Sequence, residues 1–211
     1  MMPIYFLYLF ATSFVVSLTL TTIAIYAFTK IAFIDLPGER KIHTRAIPYG
    51  GGLAIFITIY LLLFVIWLGL NFADPKKLPD FFQLHLKGLF SHRVTTQLMG
   101  ILIGGVIIFI TGLIDDIKPL GPKVKLIAGF AAAGIVIYSG TVITAFIPWV
   151  AINWLITAIW IVGITNAFNL LDNMDGLCSG VAIIAAAILM AICLQSGEIF
   201  ITAFIVLFLG A

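Results

Sequence analysis

The chain has 211 residues, of which 63% are hydrophobic and only 9% charged, and its mean hydropathy is +1.22. A water-soluble domain carries about a quarter charged residues, so the composition excludes one and points to a polytopic membrane protein. The formal net charge is only +2, eleven Lys and Arg against nine Asp and Glu, and the basic residues are scattered through polar stretches, which excludes a nucleic-acid-binding surface as well.

A membrane-spanning helix needs about 20 mostly apolar residues. The runs that qualify fall near 4–28, 51–70, 97–114, 124–140, 152–168, 178–195 and 198–211. The expected fold is therefore all-α, a bundle of about seven transmembrane segments forming one domain over 1–211. The first run has no basic residue before Lys30 and is too long for a signal-peptide core, so it reads as a membrane helix. The last run stops at "IVLFLGA" without a polar flank, so the expectation is a domain cut short at its C-terminal end and inactive as it stands. Cys178 and Cys193 share one apolar run and have neither metal-ligand spacing nor a disulfide pattern.

Three polar clusters separate these runs: residues 30–52, 114–125 and 166–177. Two spans lie between each cluster and the next, and two spans return a chain to the same side, so all three are expected on one face. That face carries Lys30, Arg40, Lys41, Arg45, Lys118, Lys123 and Lys125, and the opposite one carries Lys76, Lys77, Lys87 and Arg93 in a single loop. Positive residues favour the cytoplasm, which puts the clusters there. The stretch "FFQLHLKGLF" in the opposite loop reads as a short amphipathic segment at the interface.

The clusters gather groups that are costly near a bilayer. An Asp at a helix centre costs about 2.5–3.5 kcal/mol by insertion scales. Asp115, Asp116, Asp172 and Asp175 nevertheless stand at the ends of apolar runs. Asn166, Asn169, Asp172 and Asp175 are spaced by three, and on a helix such a set drifts by about 60° per step. The first three would form a polar stripe finishing a helix, with Asn173 and Gly176 suited to its end. The blander reading is a polar helix cap. Adjacent Asp115 and Asp116 repel each other unless a cation intervenes. Lys118, Lys123 and Lys125 follow, around a turn forced by Pro119, Gly121 and Pro122. Carboxylates with lysines at a membrane face suit a hard divalent cation and a phosphate, the pairing that phosphoryl transfer needs. In the first cluster, Arg40, Lys41, His43 and Arg45 are either positive-inside anchoring or a phosphate seat. Gly50–Gly52 would let a helix start close to its neighbours.

The stretches "DLPGERKIHTRAIPYGGG", "GLIDDIKPLGPKVKL" and "NAFNLLDNMDGL" together resemble the polyprenyl-phosphate N-acetylhexosamine-1-phosphate transferases, over residues 35–177. They are similar to that family's first cytoplasmic loop, its Asp-Asp motif with a trailing lysine, and its Asn-x-x-Asn-x-x-Asp-Gly-x-Asp-Gly motif. Asn173 stands where the family usually has Gly, a departure that bears on the local backbone. The resemblance implies transfer of a sugar-1-phosphate, such as GlcNAc-1-phosphate, from a UDP-sugar to undecaprenyl phosphate with release of UMP. It implies an inner-membrane enzyme with a cytoplasmic active site, dependent on Mg²⁺ with Mn²⁺ as a substitute, and with a homodimer as an option. It places Asp115 and Asp116 at the reacting phosphates as catalytic residues, and Asn169 with Asp116 at the metal. Lys41, His43, Lys125, Asn166, Asn169, Asp172 and Asp175 would bind substrate. It also implies a further metal-binding Asp and a His- and Arg-containing loop beyond residue 211.

Three rival readings fit less well. An ion-coupled transporter would place its carboxylates nearer mid-membrane and show inverted repeats. A CDP-alcohol phosphotransferase would follow Asp-Gly with Ala-Arg, and "DGLCSG" does not. A purely structural membrane protein would leave the clusters unexplained.

Overall fold

The computed structural model describes residues 2–31, 34–35, 47–48, 50–72, 92–172, 174 and 176–211. Seven α-helices run through them: α1 (Met2–Lys30), α2 (Gly51–Phe72), α3 (His92–Ile117), α4 (Pro122–Tyr138), α5 (Val150–Leu171), α6 (Leu177–Gln195) and α7 (Ile199–Gly210). Helix is what such sequence must form in lipid, because only internal hydrogen bonds can satisfy the backbone there. Five of the seven, α1, α2, α3, α5 and α6, are long and apolar enough to cross a membrane. The predominantly helical architecture with several membrane-length helices expected from the apolar runs is thus observed, with five such helices where about seven spans were expected and a 17-residue α4 at the run expected at 124–140. The apolar run expected at 198–211 is the twelve-residue α7. The amphipathic segment expected near residues 81–90 lies outside the described residues, as do Lys41, His43, Asn173 and Asp175.

The chain divides into two compact units. Residues 1–86 and 173–211 form one of them, in which α1 packs on α2 and α7, and α6 packs on α7. Small and hydroxylated side chains make its closest seam. Ser13 Oγ donates to the Leu207 carbonyl at 2.7 Å, and Ser17 Oγ donates to that of Ala211. Gly210 lies against α1 so closely that a Cβ there would meet the Phe10 carbonyl oxygen at 2.6 Å. This chemistry suits a membrane, where close backbone approach and interhelical hydrogen bonds replace a hydrophobic driving force. A short antiparallel pair, β1 (Ile34–Asp35) with β2 (Ile47–Pro48), joins Ile34 to Pro48 and Asp35 to Ile47 and so closes the base of the first polar loop. Of the three glycines at the start of α2, Gly50 alone meets a neighbour, since an added Cβ would lie 3.0–3.2 Å from side-chain atoms of Phe28 and Ala24 of α1.

Residues 87–172 form the second unit, α3, α4 and α5 packed in sequence. Gly100 and Gly104 of α3 lie on Ser139, Val136 and Ala132 at the far end of α4, so the two helices are antiparallel. Gly129 at the middle of α4 rests on Val162 of α5. Pro122 opens α4 in its first turn, where a missing N–H costs nothing. The helix closes on Gly140 at φ +92, with Gly140 N–H bonded to the Ile137 carbonyl and Thr141 N–H to that of Val136. Those paired bonds are a Schellman motif. The turn from α6 to α7 repeats it at Gly197, φ +75.

Candidate active site

The second unit brings two of the three polar clusters to one end. The four residues between α3 and α4 hold the C-terminal end of α3 beside the N-terminal end of α4. Gly129 and Val162 then fix the register of α4 on α5. Asn169 and Pro122 are each seven residues from that contact, about 10.5 Å along their antiparallel helices, and so stand level with each other. Asn166 is level with Lys125 by the same count.

Asp115, in the last turn of α3, is the best-defined group at this end. Its Oδ1 accepts the Leu120 backbone N–H at 2.7 Å, and its Oδ2 is ion-paired with Lys125 Nζ from the first turn of α4. Asp115 is 22% and Lys125 30% exposed, so water only partly screens the pair. Asp116, next along the helix, is exposed, as are Lys118 and Lys123. On α5, Asn166 is half-buried and its Nδ2 donates to the Val162 carbonyl at 2.7 Å, while Asn169 is exposed. Asp172 is exposed too and forms the C-cap of α5, so the helix ends where the polar stripe was expected to end. Gly176 opens α6 at φ +74, a conformation that favours glycine and matches the turn expected there.

The charges stand against the helix dipoles. Asp115, Asp116 and Asp172 sit at the C-terminal ends of α3 and α5, where the unpaired carbonyls already carry partial negative charge, and neither helix has a basic residue in its last turn. Lys123 and Lys125 sit at the positive N-terminal end of α4, which has no acidic residue in its first turn. Both placements are unfavourable for an isolated protein. The Asp115–Lys125 pair relieves part of the conflict, and a cation beside the carboxylates with an anion beside the lysines would relieve the rest.

Among the described residues no three His, Cys, Asp or Glu side chains form a closed metal cage. Asp116, Asn169 and Asp172 are instead exposed oxygen donors at one end of a three-helix unit. Such an open set fits Mg²⁺, which keeps several waters and binds one or two carboxylates together with substrate phosphates.

Sequence reasoning assigned Lys125 to a substrate phosphate and did not anticipate its partner, Asp115. The signal was the turn Pro119-Leu120-Gly121-Pro122, which folds two positions ten apart in sequence into a hairpin end. The Leu120 backbone N–H, also missed, left no trace in residue type.

Comparison with known proteins places the chain among named relatives. The chain is 29% identical over 200 residues to the probable undecaprenyl-phosphate N-acetylglucosaminyl 1-phosphate transferase of Bacillus subtilis, covering 91% of this chain and 49% of that protein. It is 31% identical over 172 residues to the undecaprenyl-phosphate alpha-N-acetylglucosaminyl 1-phosphate transferase of Thermotoga maritima, covering 82% and 47%. It is 27% identical over 178 residues to a decaprenyl-phosphate N-acetylglucosaminephosphotransferase of Mycobacterium tuberculosis, covering 80% and 39%. The chain thus spans half or less of the length of these curated relatives. The profile of glycosyl transferase family 4 matches residues 98–211, which takes in most of α3, all of α4 through α7 and every described site residue, and the chain belongs to that family.

Proposed function

We propose that the protein transfers an N-acetylhexosamine-1-phosphate, GlcNAc-1-phosphate in the first instance, from a UDP-sugar to undecaprenyl phosphate and releases UMP. An oxygen of the lipid phosphate attacks the sugar-bearing phosphorus of the donor. The bond from that phosphorus to the bridging oxygen breaks, and UMP leaves with the oxygen. The observation that carries the reading is the ion-paired Asp115 and Lys125 at the same end of the α3–α5 unit as exposed Asp116, Asn169 and Asp172. The names of the family's relatives support the acceptor and the sugar.

Bringing a lipid phosphate to a donor diphosphate sets two anions against each other. Lys125, held by Asp115, and Lys123 supply fixed positive charge for the donor phosphates. Asp116 and Asn169 would hold Mg²⁺, which when bound neutralises charge on the transferring phosphoryl group. Asp115 keeps the ammonium and the 118–121 turn in place, which is preorganisation of the kind that lowers a barrier without cost at the moment of reaction. Asn166 and Asp172 would contact the donor. The substrate roles of Lys41, His43 and Asp175 rest on the motifs alone. The lysines at this end support a cytoplasmic site on the inner membrane. An ion-coupled transporter is disfavoured by the same geometry, since the carboxylates are at helix ends.

The test is transfer of radiolabel from a panel of UDP-sugars to undecaprenyl phosphate by membranes containing the full-length gene product. Label entering lipid from UDP-GlcNAc, with UMP released in equal amount and EDTA abolishing both, is expected. No transfer from any UDP-sugar would refute the proposal.

A further inference from the structure

The other end of the second unit carries a turn whose sequence works against its backbone. Between α4 and α5, Ile147 N–H bonds to the Thr144 carbonyl at 2.8 Å, and the two residues inside that turn, Ala145 and Phe146, have φ of +42° and +58°. Positive φ at both central positions is the type I′ requirement, which Asn and Gly meet at low cost and a bulky side chain does not. The conformation is imposed from outside the turn. Gln97 Nε2 of α3 donates to the Gly140 carbonyl at 2.8 Å, Thr157 Oγ1 of α5 accepts the Ile143 N–H at 2.9 Å, and Asn153 Nδ2 donates to the Ile147 carbonyl at 3.0 Å. Asn153 and Thr157 are themselves buried. Three side chains from two helices therefore hold a strained turn in place.

What the strain achieves within the protein is not packing, because Phe146 is fully exposed. Tyr138 and Trp149, at the two ends of the connection, are largely exposed as well. A residue that is unfavourable for its backbone and buries nothing among the described residues gains its stabilisation from another surface. Two observations identify that surface. No Lys, Arg, Asp or Glu occurs from Leu126 to Leu171, so the turn has none of the charge that a water-facing loop normally carries. Further, α5 has 22 residues and is about 33 Å long, close to the roughly 30 Å of a hydrocarbon core. With Asp172 at one membrane boundary, Trp149 and the turn fall at the other. Aromatic side chains concentrate at that depth, where a ring meets the acyl boundary and a polar edge meets headgroups.

We propose that the 139–149 turn is a lipid-interface anchor, held rigid so that Phe146, flanked by Tyr138 and Trp149, inserts at the headgroup–acyl boundary of the leaflet opposite the active site. It sets the height of the unit in the bilayer and does not depend on the transferase reading.

The test uses the full-length gene product with Cys178→Ser and Cys193→Ser, carrying Phe146→Cys labelled with an environment-sensitive fluorophore, in vesicles of phosphatidylethanolamine and phosphatidylglycerol. Thr144→Cys, which keeps Phe146, is the second reporter in case the first variant folds poorly. Lys118→Cys is the water-facing control. Lipids with a nitroxide at a shallow acyl position should quench the reporters at 146 and 144, and aqueous iodide should quench only the one at 118. Efficient iodide quenching at 146 and 144 would overturn the proposal. So would blue-shifted emission that neither quencher reaches, which would mean that a protein surface, this chain's own or a partner's, covers the turn.

Discussion

The α3–α4 hairpin holds Asp115 and Lys125 together, and its tightest point is at the opposite end. A Cβ added at Gly100 would lie 2.2 Å from Ser139 Oγ and 2.3 Å from Ser139 Cβ. Rotating Ser139 moves Oγ but leaves Cβ, so the clash persists unless the helices part. Gly100→Ala should therefore destabilise the protein by about 1–3 kcal/mol of overpacking, set against about 1 kcal/mol gained from alanine's helix propensity. Ser139→Gly by itself removes the Ser139 Oγ–Val136 bond of 2.7 Å and should cost about 1 kcal/mol. Combined, the two changes should nearly restore stability, because the next contact to the new methyl is the Ile135 carbonyl at 3.4 Å. The coupling between the two positions should then be favourable by about 1–3 kcal/mol in a double-mutant cycle, against near-additivity for positions that do not touch. The measurement is the midpoint of thermal unfolding of the full-length gene product in detergent, for wild type, both single variants and the double variant. Additive single effects would refute the packing argument.

Other predictions concern the site and its supports. Asp115→Asn and Lys125→Met should each lower transferase activity, and the double variant should be little worse than the weaker single one, because the two side chains act as one unit; multiplied losses in the same assay would count against the pair. Asp116→Asn should cost at least about a hundredfold in rate and raise the Mg²⁺ concentration giving half-maximal activity, as expected for a lost electrostatic group; an unchanged Mg²⁺ titration would remove it from the metal. Gly210→Ala should loosen α1 from α7 by about 1–3 kcal/mol, since the added methyl meets backbone that cannot turn aside; an unshifted unfolding midpoint would contradict the seam. Cysteines placed at Leu120 and Ile143 should label from opposite sides of sealed vesicles, and labelling from the same side would show that the 17-residue α4 does not cross the membrane.

The sequence by itself determined the membrane class, the apolar runs and the candidate polar clusters. Hydropathy averages over some 20 residues and needs no knowledge of neighbours, so α1, α2, α3, α5 and α6 were legible. Asp115, Asp116, Asn169 and Asp172 were legible because carboxylates and amides at the edge of apolar runs are costly enough to need a reason. Gly140 and Gly197 show the other side. Nothing in their flanks told which glycine would close a helix, and it was the positive φ of the folded chain that marked them. Only the tertiary structure decided who touches whom. Lys125 could have faced a phosphate or a carboxylate, and the register of Gly100 and Gly104 on α4 set it against Asp115. The same holds for Gln97, Asn153 and Thr157, which look like stray polar residues in apolar helices until the turn they hold is seen. Side-chain type fixes what a group can bond to, whereas its partner depends on distances between helices that come only from how small residues let those helices approach.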